Sequence, residues 1–453
     1  MVLVEGGKQD DQVILYLTDS GLTLDRFVSY SFDSNFLEPT DAFHLVTGGK
    51  ENPSLELVEA LVPGAEVKLY VNGTPQAVGY IDDVTFDASP HGGRTMTITG
   101  RDVFAPVVSA GADPYKLKFQ PTQTVADFVE KIFGQFGFTN FDDDDAADRS
   151  IKTGLNKARY SKKKGKPLKK FALAQQLKPN PGEGTWQYVD RVVTRSGLYV
   201  WPSADGTTVI CSTPDYDQVP VAHLVRHIGD NVSNIESGGV ACKTVHQPSI
   251  IVATGFSGGG EWSRAHHKVL MVNELVGFDN SKFGTVPYQD PYNRTGLSSG
   301  AYVYVNRDVI QVIQDNLDGY LIPARFTTFP DAFARPQKRA KPIFMHDEES
   351  RSLEQLINFV QRKMSQCQKD MYIGTYTVKG HTFDDGQGNK IPWTVNTMVG
   401  VEDEDTKFNG TSFSNPMWVM GRTFVKSRAG TFTHLHLILP HTLEFFELNP
   451  EAA

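Results

Sequence analysis

The chemistry-bearing residues of this chain are scattered. His434 and His436, in HLHL, sit at strand spacing, so both side chains face one way. Such a pair suits zinc, but zinc needs a third and usually a fourth ligand. His441 is near in sequence, yet Pro440 breaks the strand before it. Ordinary strand histidines are the commoner reading. His266-His267 follow Trp262 in a charged loop, and adjacent residues on a strand would face opposite ways. The acidic groups Asp82-Asp83, Asp384-Asp385 and 402–405 could be read as paired catalytic carboxylates or calcium loops. None has the calcium-loop pattern, and each lies between expected strands, where Asp forms turns. GFSGGGEW (255–262) lacks the Lys-Ser/Thr of a phosphate loop, and no serine elbow or HExxH helix occurs. The expected catalytic, cofactor-binding and metal residues are therefore none, and no cofactor is expected.

Cys211, Cys242 and Cys367 form no CxxC pair, and an odd count gives no disulfide framework. They are expected as thiols made in a reducing cytoplasm. The net charge of −9 and pI near 5.8 argue against a nucleic-acid coat. They suit a surface that nucleic acid slides past. A basic run, KARYSKKKGKPLKK (157–170), follows the acidic DDDDAAD (142–148). It is read as a solvated loop, a phosphate, nucleic-acid or membrane contact, or a dock for an acidic neighbour. The N-terminus lacks a signal-peptide pattern, and no run of about 18 apolar residues occurs, so no membrane insertion is expected.

The elements that carry these residues are mostly strands. Residues 65–100 and 391–440 are each a series of alternating strands joined by Gly, Asn and Asp turns. Each has a strand near a glycine, Gly79 or Gly421, then a polar loop, then a return strand led by Gly93 or Gly430. In 67–71, Val67, Leu69 and Val71 share one face, and Asn72-Gly73 is a hairpin turn. Residues 12–17, 24–32 and 54–62 are read as opening the first β-module. In TVADFVEKIFGQFGF, apolar residues recur at helical spacing, with Thr124 as N-cap and Gly137 as stop. A second helix is expected over 186–196, with Trp186, Val189 and Val193 inward and Gly197 beyond it. The hairpin 198–212 follows it. A helix or strand is expected around 303–313. A helix over 348–369 presents Leu353, Leu356, Ile357, Val360, Met364 and Cys367, with Asp347 as cap.

These segments, in order, resemble the baseplate hub proteins of contractile-tailed phages, the Mu-like tail protein and late-control D group. That group is related in fold to the N-terminal part of VgrG. The resemblance rests on VGYIDDVTFDASPHGGRTMTITGRD (78–102), WQYVDRVVTRSGLYVWPSADGTTVICSTPD (186–215), YTVKGHTF (376–383), PWTVNTMVGVEDED (392–405) and TFTHLHLILPHTLEF (431–445). The long basic loop 157–170 and the block 261–345 depart from the family pattern. The resemblance implies an α+β multidomain chain with two tail-tube-like antiparallel β-barrels and intervening mixed α/β domains, assembled as a pseudo-sixfold trimer. It divides the chain into a first barrel (1–104), an α/β domain (105–222), a split second barrel (223–260 and 371–447) and an inserted mixed α/β domain (261–370).

The implied role is structural: a hub at the baseplate centre of the virion, made in the host cytoplasm, that adapts a sixfold tail tube to a threefold spike. The implied partners are a second and third copy of the chain, a trimeric spike, the hexameric tube and baseplate wedge proteins. Tape-measure protein and then DNA pass through its lumen without specific binding. Three alternatives stand beside it. One is a tail-associated peptidoglycan or polysaccharide hydrolase. Another is an adhesin with exposed Trp201, Trp262 or Trp393. The third is the spike base of a related injection or secretion system.

Overall fold

In a computed structural model, the described residues are 11–48, 54–89, 93–119, 124–142, 178–229, 233–248, 250–256, 266–273, 301–304, 342–347, 350, 353–385, 388–408, 411–427 and 429–443. The basic run 157–170, the glycines 258–260, Trp262 and residues 305–313 lie outside them. The chain forms two compact units. The first holds residues 1–193, 198–240 and 373–440, and the second 194–197, 241–372 and 441–453.

The first unit begins with β1 (Val13–Leu17), β2 (Thr23–Leu24), β3 (Ser29–Asn35) and β4 (Ala42–Gly48). Strict alternation of buried and half-buried residues in β1 is the pattern of a strand with one face on a core. Residues 54–62 do not extend the sheet. They form helix α1 (Leu55–Ala60), because the Ser54 hydroxyl accepts the Leu57 N–H at 3.2 Å and caps it. β5 (Glu66–Val71), β6 (Thr74–Ser89) and β7 (Gly93–Asp102) follow. Asn72 and Gly73 both have positive φ, 50° and 81°, as the tight hairpin between β5 and β6 requires.

Helices α2 (Ala105–Ser109) and α3 (Val125–Phe133) come next, then β8 (Asn140–Asp142), α4 (Thr185–Val193), β9 (Tyr199–Pro202) and β10 (Thr208–Ser212). Thr124 and Asp127 cap α3 reciprocally, at 3.0 and 2.8 Å, and Gly137 turns left-handed (φ 93°) beyond it. Phe104, Phe119, Phe128, Phe133 and Tyr188 fill the core between these elements. On α4, Thr185, Tyr188, Val189, Val192 and Val193 are the buried residues, while Trp186 packs from the rim.

β11 (Ala222–Arg226) and β12 (Ile235–Cys242) lead out of this unit. The second unit contains β13 (Ile250–Phe256), β14 (His266–Val272), β15 (Ala301–Tyr304) and β16 (Pro342–Asp347), ordered β15-β14-β13-β16. Helix α5 (Leu353–Gln368) covers that sheet through Leu356, Val360 and Met364, which meet Ile251, Ala253 and Met271. Asp347 ends β16, where its carboxylate accepts from Arg195 and Ser350. The chain returns to the first unit with β17 (Tyr372–Lys379), β18 (Thr382–Asp384), β19 (Lys390–Pro392), β20 (Met398–Phe408), β21 (Thr411–Ser427) and β22 (Gly430–Ile438).

Among the described residues the large sheet of the first unit has 13 strands. Its main path is β12-β17-β22-β21-β3-β4-β7-β6-β5-β1-β2, with β11-β20 joined at β21. It therefore contains one strand order twice: β1-β5-β6-β7-β4-β3 and β11-β20-β21-β22-β17-β12. The outermost pairs differ, since β1 meets β5 antiparallel and β11 meets β20 parallel.

Candidate assembly seam

The two strand sets match residue by residue along their long strands. Tyr80 of β6 pairs with Glu66 of β5, and Trp418 of β21 with Met398 of β20, each at the end of that partnership. A one-residue bulge follows in each, between Ile81 and Asp83 and between Val419 and Gly421. Both hairpins then close on a glycine, Gly93 opposite Ser89 and Gly430 opposite Ser427. Asp83, Val84 and Phe86 thus correspond to Gly421, Arg422 and Phe424. Gly93 and Gly430 hold the same place, whereas Gly79 and Gly421 do not.

The sets are joined where β21 pairs antiparallel with β3, from Asn35 opposite Gly421 to Tyr30 opposite Lys426. Arg422 is buried at this seam. Its Nη1 donates to Gln76 Oε1 at 2.7 Å and to the Trp393 carbonyl, and its guanidinium lies 4.1 Å from the Phe424 ring centre. Burial brings its pKa down to about 10, against the pull of Asp41, so it stays charged at neutral pH. Burial pushes Asp41 up to about 6, although the Ser34 hydroxyl donates to it at 2.6 Å and Arg422 is near. Asp102 rises to about 8, through burial and then the Asp41 charge, despite accepting from the Asp41 and Phe104 N–H groups. His381, on the same seam, stacks on Phe424 at 4.5 Å and meets Tyr30 Oη at 2.7 Å and Thr433 Oγ1 at 3.3 Å. Burial takes its pKa down to about 4, so the ring is neutral. This arrangement holds two strand sets together; Arg422 Nη1, Asp41, Asp102 and His381 have protein partners, while the buried Arg422 Nε and Trp393 Nε1 have none among the described residues.

The sequence candidates fall elsewhere. His434 Nδ1 meets Thr377 Oγ1 at 2.9 Å on an exposed strand face, and His436 is half-buried two residues along. His441 takes a left-handed turn (φ 62°) after β22. His266 and His267 lie in β14, opposite Phe256 and Gly255, rather than in a loop. Among the described residues no group of three His, Cys, Asp or Glu is placed to hold a metal ion. Asp384 and Asp385 do shape a turn, accepting from Gly388 and Asn389. The other acidic groups are inside strands, because bulges and ion pairs accommodate them there. Asp82 occupies the β6 bulge and takes a two-pronged bond from Arg101, at 2.7 and 2.9 Å. Asp403, in β20, accepts from both arms of Arg226, from Tyr376 Oη and from Thr406 Oγ1. Burial opposes its ionisation, but these donors keep its pKa below the ordinary value. Trp393 is buried and Trp201 half-buried against Phe36. Cys211 is buried, and Cys242 and Cys367 are half-buried free thiols. Arg422 escaped the sequence reading, though a lone Arg inside the apolar run WVMGRTFV was its signal.

No protein-family model matches the chain, and no curated protein does. Solved structures do. The tail protein from Neisseria meningitidis MC58 is similar with a TM-score of 0.62 at 19% identity, over 95% of this chain and 97% of that one. The 43 kDa tail protein of prophage MuSo2 from Shewanella oneidensis is similar with a TM-score of 0.62 at 14% identity, over 96% of this chain and all of that one (100%). The chain has the fold of phage tail proteins.

Proposed function

We propose that the chain is the structural hub of a contractile phage tail baseplate, a trimer that adapts the sixfold tail tube to the threefold central spike. The observation that carries this reading is the repeated strand order in one continuous sheet. A copy built this way supplies two adjacent wall segments, so three copies supply six. The likeness in fold to two phage tail proteins, over 95% and 96% of the chain, supports a place in the tail. In this reading the two strand sets are the tube-like barrels of 1–104 and of 223–260 with 371–447. The segments 105–222 and 261–370 are mixed α/β domains beside them. The partners are the trimeric spike at one end, the hexameric tube at the other and wedge proteins outside. Tape-measure protein and DNA pass through the lumen, which an acidic lining keeps from gripping phosphate. The protein works by matching geometry and carries out no bond-breaking step.

Light scattering on the purified chain tests this directly. The expected mass is three times the chain's 50.2 kDa, with particle images showing threefold symmetry and a near-sixfold end. A monomer at micromolar concentration, or a pore lined mainly with Lys and Arg, overturns the reading.

A further inference from the structure

Among the described residues, the repeated strand order leaves two edges bare whose counterparts in the same chain are joined. Beyond its bulge, β21 is flanked by β22 on one side and β3 on the other. Beyond its own bulge, β6 has β7 on one side and, among the described residues, no strand on the other. Likewise β3 lies between β4 and β21, whereas its counterpart β12 has, among the described residues, β17 alone. Exposure follows the pairing. Phe424 is 0% exposed where β3 covers it, and its counterpart Phe86 is 62% exposed. A bare edge is a ready template for another strand, and an exposed aromatic ring beside it adds apolar surface to bury.

We propose that these two edges are the halves of one intermolecular seam. β12 of one copy adds antiparallel to residues 83–89 of β6 in a second copy, repeating the β3–β21 contact between molecules. The glycines fix the register. A Cβ at Gly48 would meet Thr95 Cα, its pairing partner, at 2.8 Å and the preceding carbonyl at 2.4 Å. A Cβ at Gly238 would meet Tyr376 Cα at 2.8 Å and the Thr375 carbonyl at 1.9 Å, which sets Gly238 opposite Tyr376. Tyr376 is the counterpart of Leu45, which faces Tyr30. Gly238 therefore corresponds to Tyr30. Carrying the β3–β21 register across, Val240 faces Phe86, Cys242 faces Val84 and Lys243 faces Asp83. An apolar pair then covers Phe86, and opposite charges meet at the bulge end. The inference takes its copy number from the trimer proposed above, but the edges stand on the strand order and the register on the glycine contacts and the β3–β21 pairing.

Cys242 supplies the test, since it is a native free thiol. Val84→Cys would place a second thiol opposite it on the neighbouring copy. Under mild oxidation the variant should give covalent species on a non-reducing gel that stop at three chains. Thr85→Cys, on the other strand face, should give none, and adding Cys242→Ser to Val84→Cys should abolish the product. Phe86→Asp should lower the mass seen by light scattering to one chain while the far-ultraviolet dichroism stays unchanged. A trimer that does not cross-link, or that survives Phe86→Asp, overturns the seam and leaves the trimer standing. Cross-linking that stops at two chains keeps the edge pairing and overturns the ring. A wild-type monomer with no cross-link overturns both.

Discussion

Arg422 places a full positive charge among Phe32, Phe424 and Trp393, with Gln76 and a backbone carbonyl as its acceptors. Truncating Arg422 leaves the buried Gln76 Oε1 and Trp393 carbonyl without this donor, at about 1–3 kcal/mol for each acceptor left unsatisfied. Arg422→Ala is expected to lose about 3 kcal/mol in urea denaturation, and Arg422→Met to recover part of that by stacking on Phe424. The nearby titrating groups give a signed pH dependence. Asp102 is raised to about 8, so between its unfolded value and that pH the folded chain binds the extra proton. Its contribution is present at acid pH and is lost as pH rises towards 8. Asp41, raised to about 6, acts in the same direction over a lower range. His381, lowered to about 4, works the other way: its contribution is gained as pH rises from about 4 to its ordinary value near 6.5. Above that point only the Asp102 slope of the three remains, so stability should fall from about pH 6.5 to 8 by ~1 kcal/mol per pH unit. Asp41→Asn removes the charge that helps raise Asp102. Denaturation across this range should show a shallower fall in that variant, and an unchanged slope would remove these carboxyls from the account.

At the level of elements, the local signals were readable and the distant ones were not. Thr124 and Gly137 bound α3 as their residue types demand, and Asn72-Gly73 makes the expected hairpin. Thr124→Ala should cost ~1 kcal/mol, because one hydroxyl satisfies an otherwise orphan N–H. Asp127→Ala should cost a similar amount, both by chemical denaturation. Asp403 was misread as a turn former because its partner Arg226 lies 177 residues away. The helix α1 was missed for the opposite reason. Its single capping Ser54 precedes only six residues, too short a run for periodicity to register. The β3–β21 seam joins residues nearly 400 positions apart in the chain, and no local pattern announces such a pairing. What the sequence did show was two strand series closing on Gly93 and Gly430. Gly238 gives a further check at this scale. Its φ of 118° and the Thr375 carbonyl leave no room for a Cβ, so Gly238→Ala should loosen β12 from β17. Faster hydrogen exchange in 235–242 than in 372–379 would report it.

For the whole molecule, the proposed assembly makes salt dependence informative. The outer seam is built from Val240 on Phe86 with a single charge pair, so moderate salt should leave the trimer mass unchanged, since apolar burial is not screened. Dissociation by a few hundred millimolar salt would point to a charged interface instead. Finally, matched positions in the two strand sets carry unlike residues: Arg422 where the other has Val84, and Gly421 where the other has Asp83. A ring of six identical chains must use one set of side chains at every joint. A duplicated chain escapes that constraint. Its covalent joint is free to bury an ionic cluster that need never come apart, while its partner-to-partner joint stays simple enough to form between chains meeting in solution. Mutations can therefore tune permanence at one joint and ease of assembly at the other, without trading one against the other.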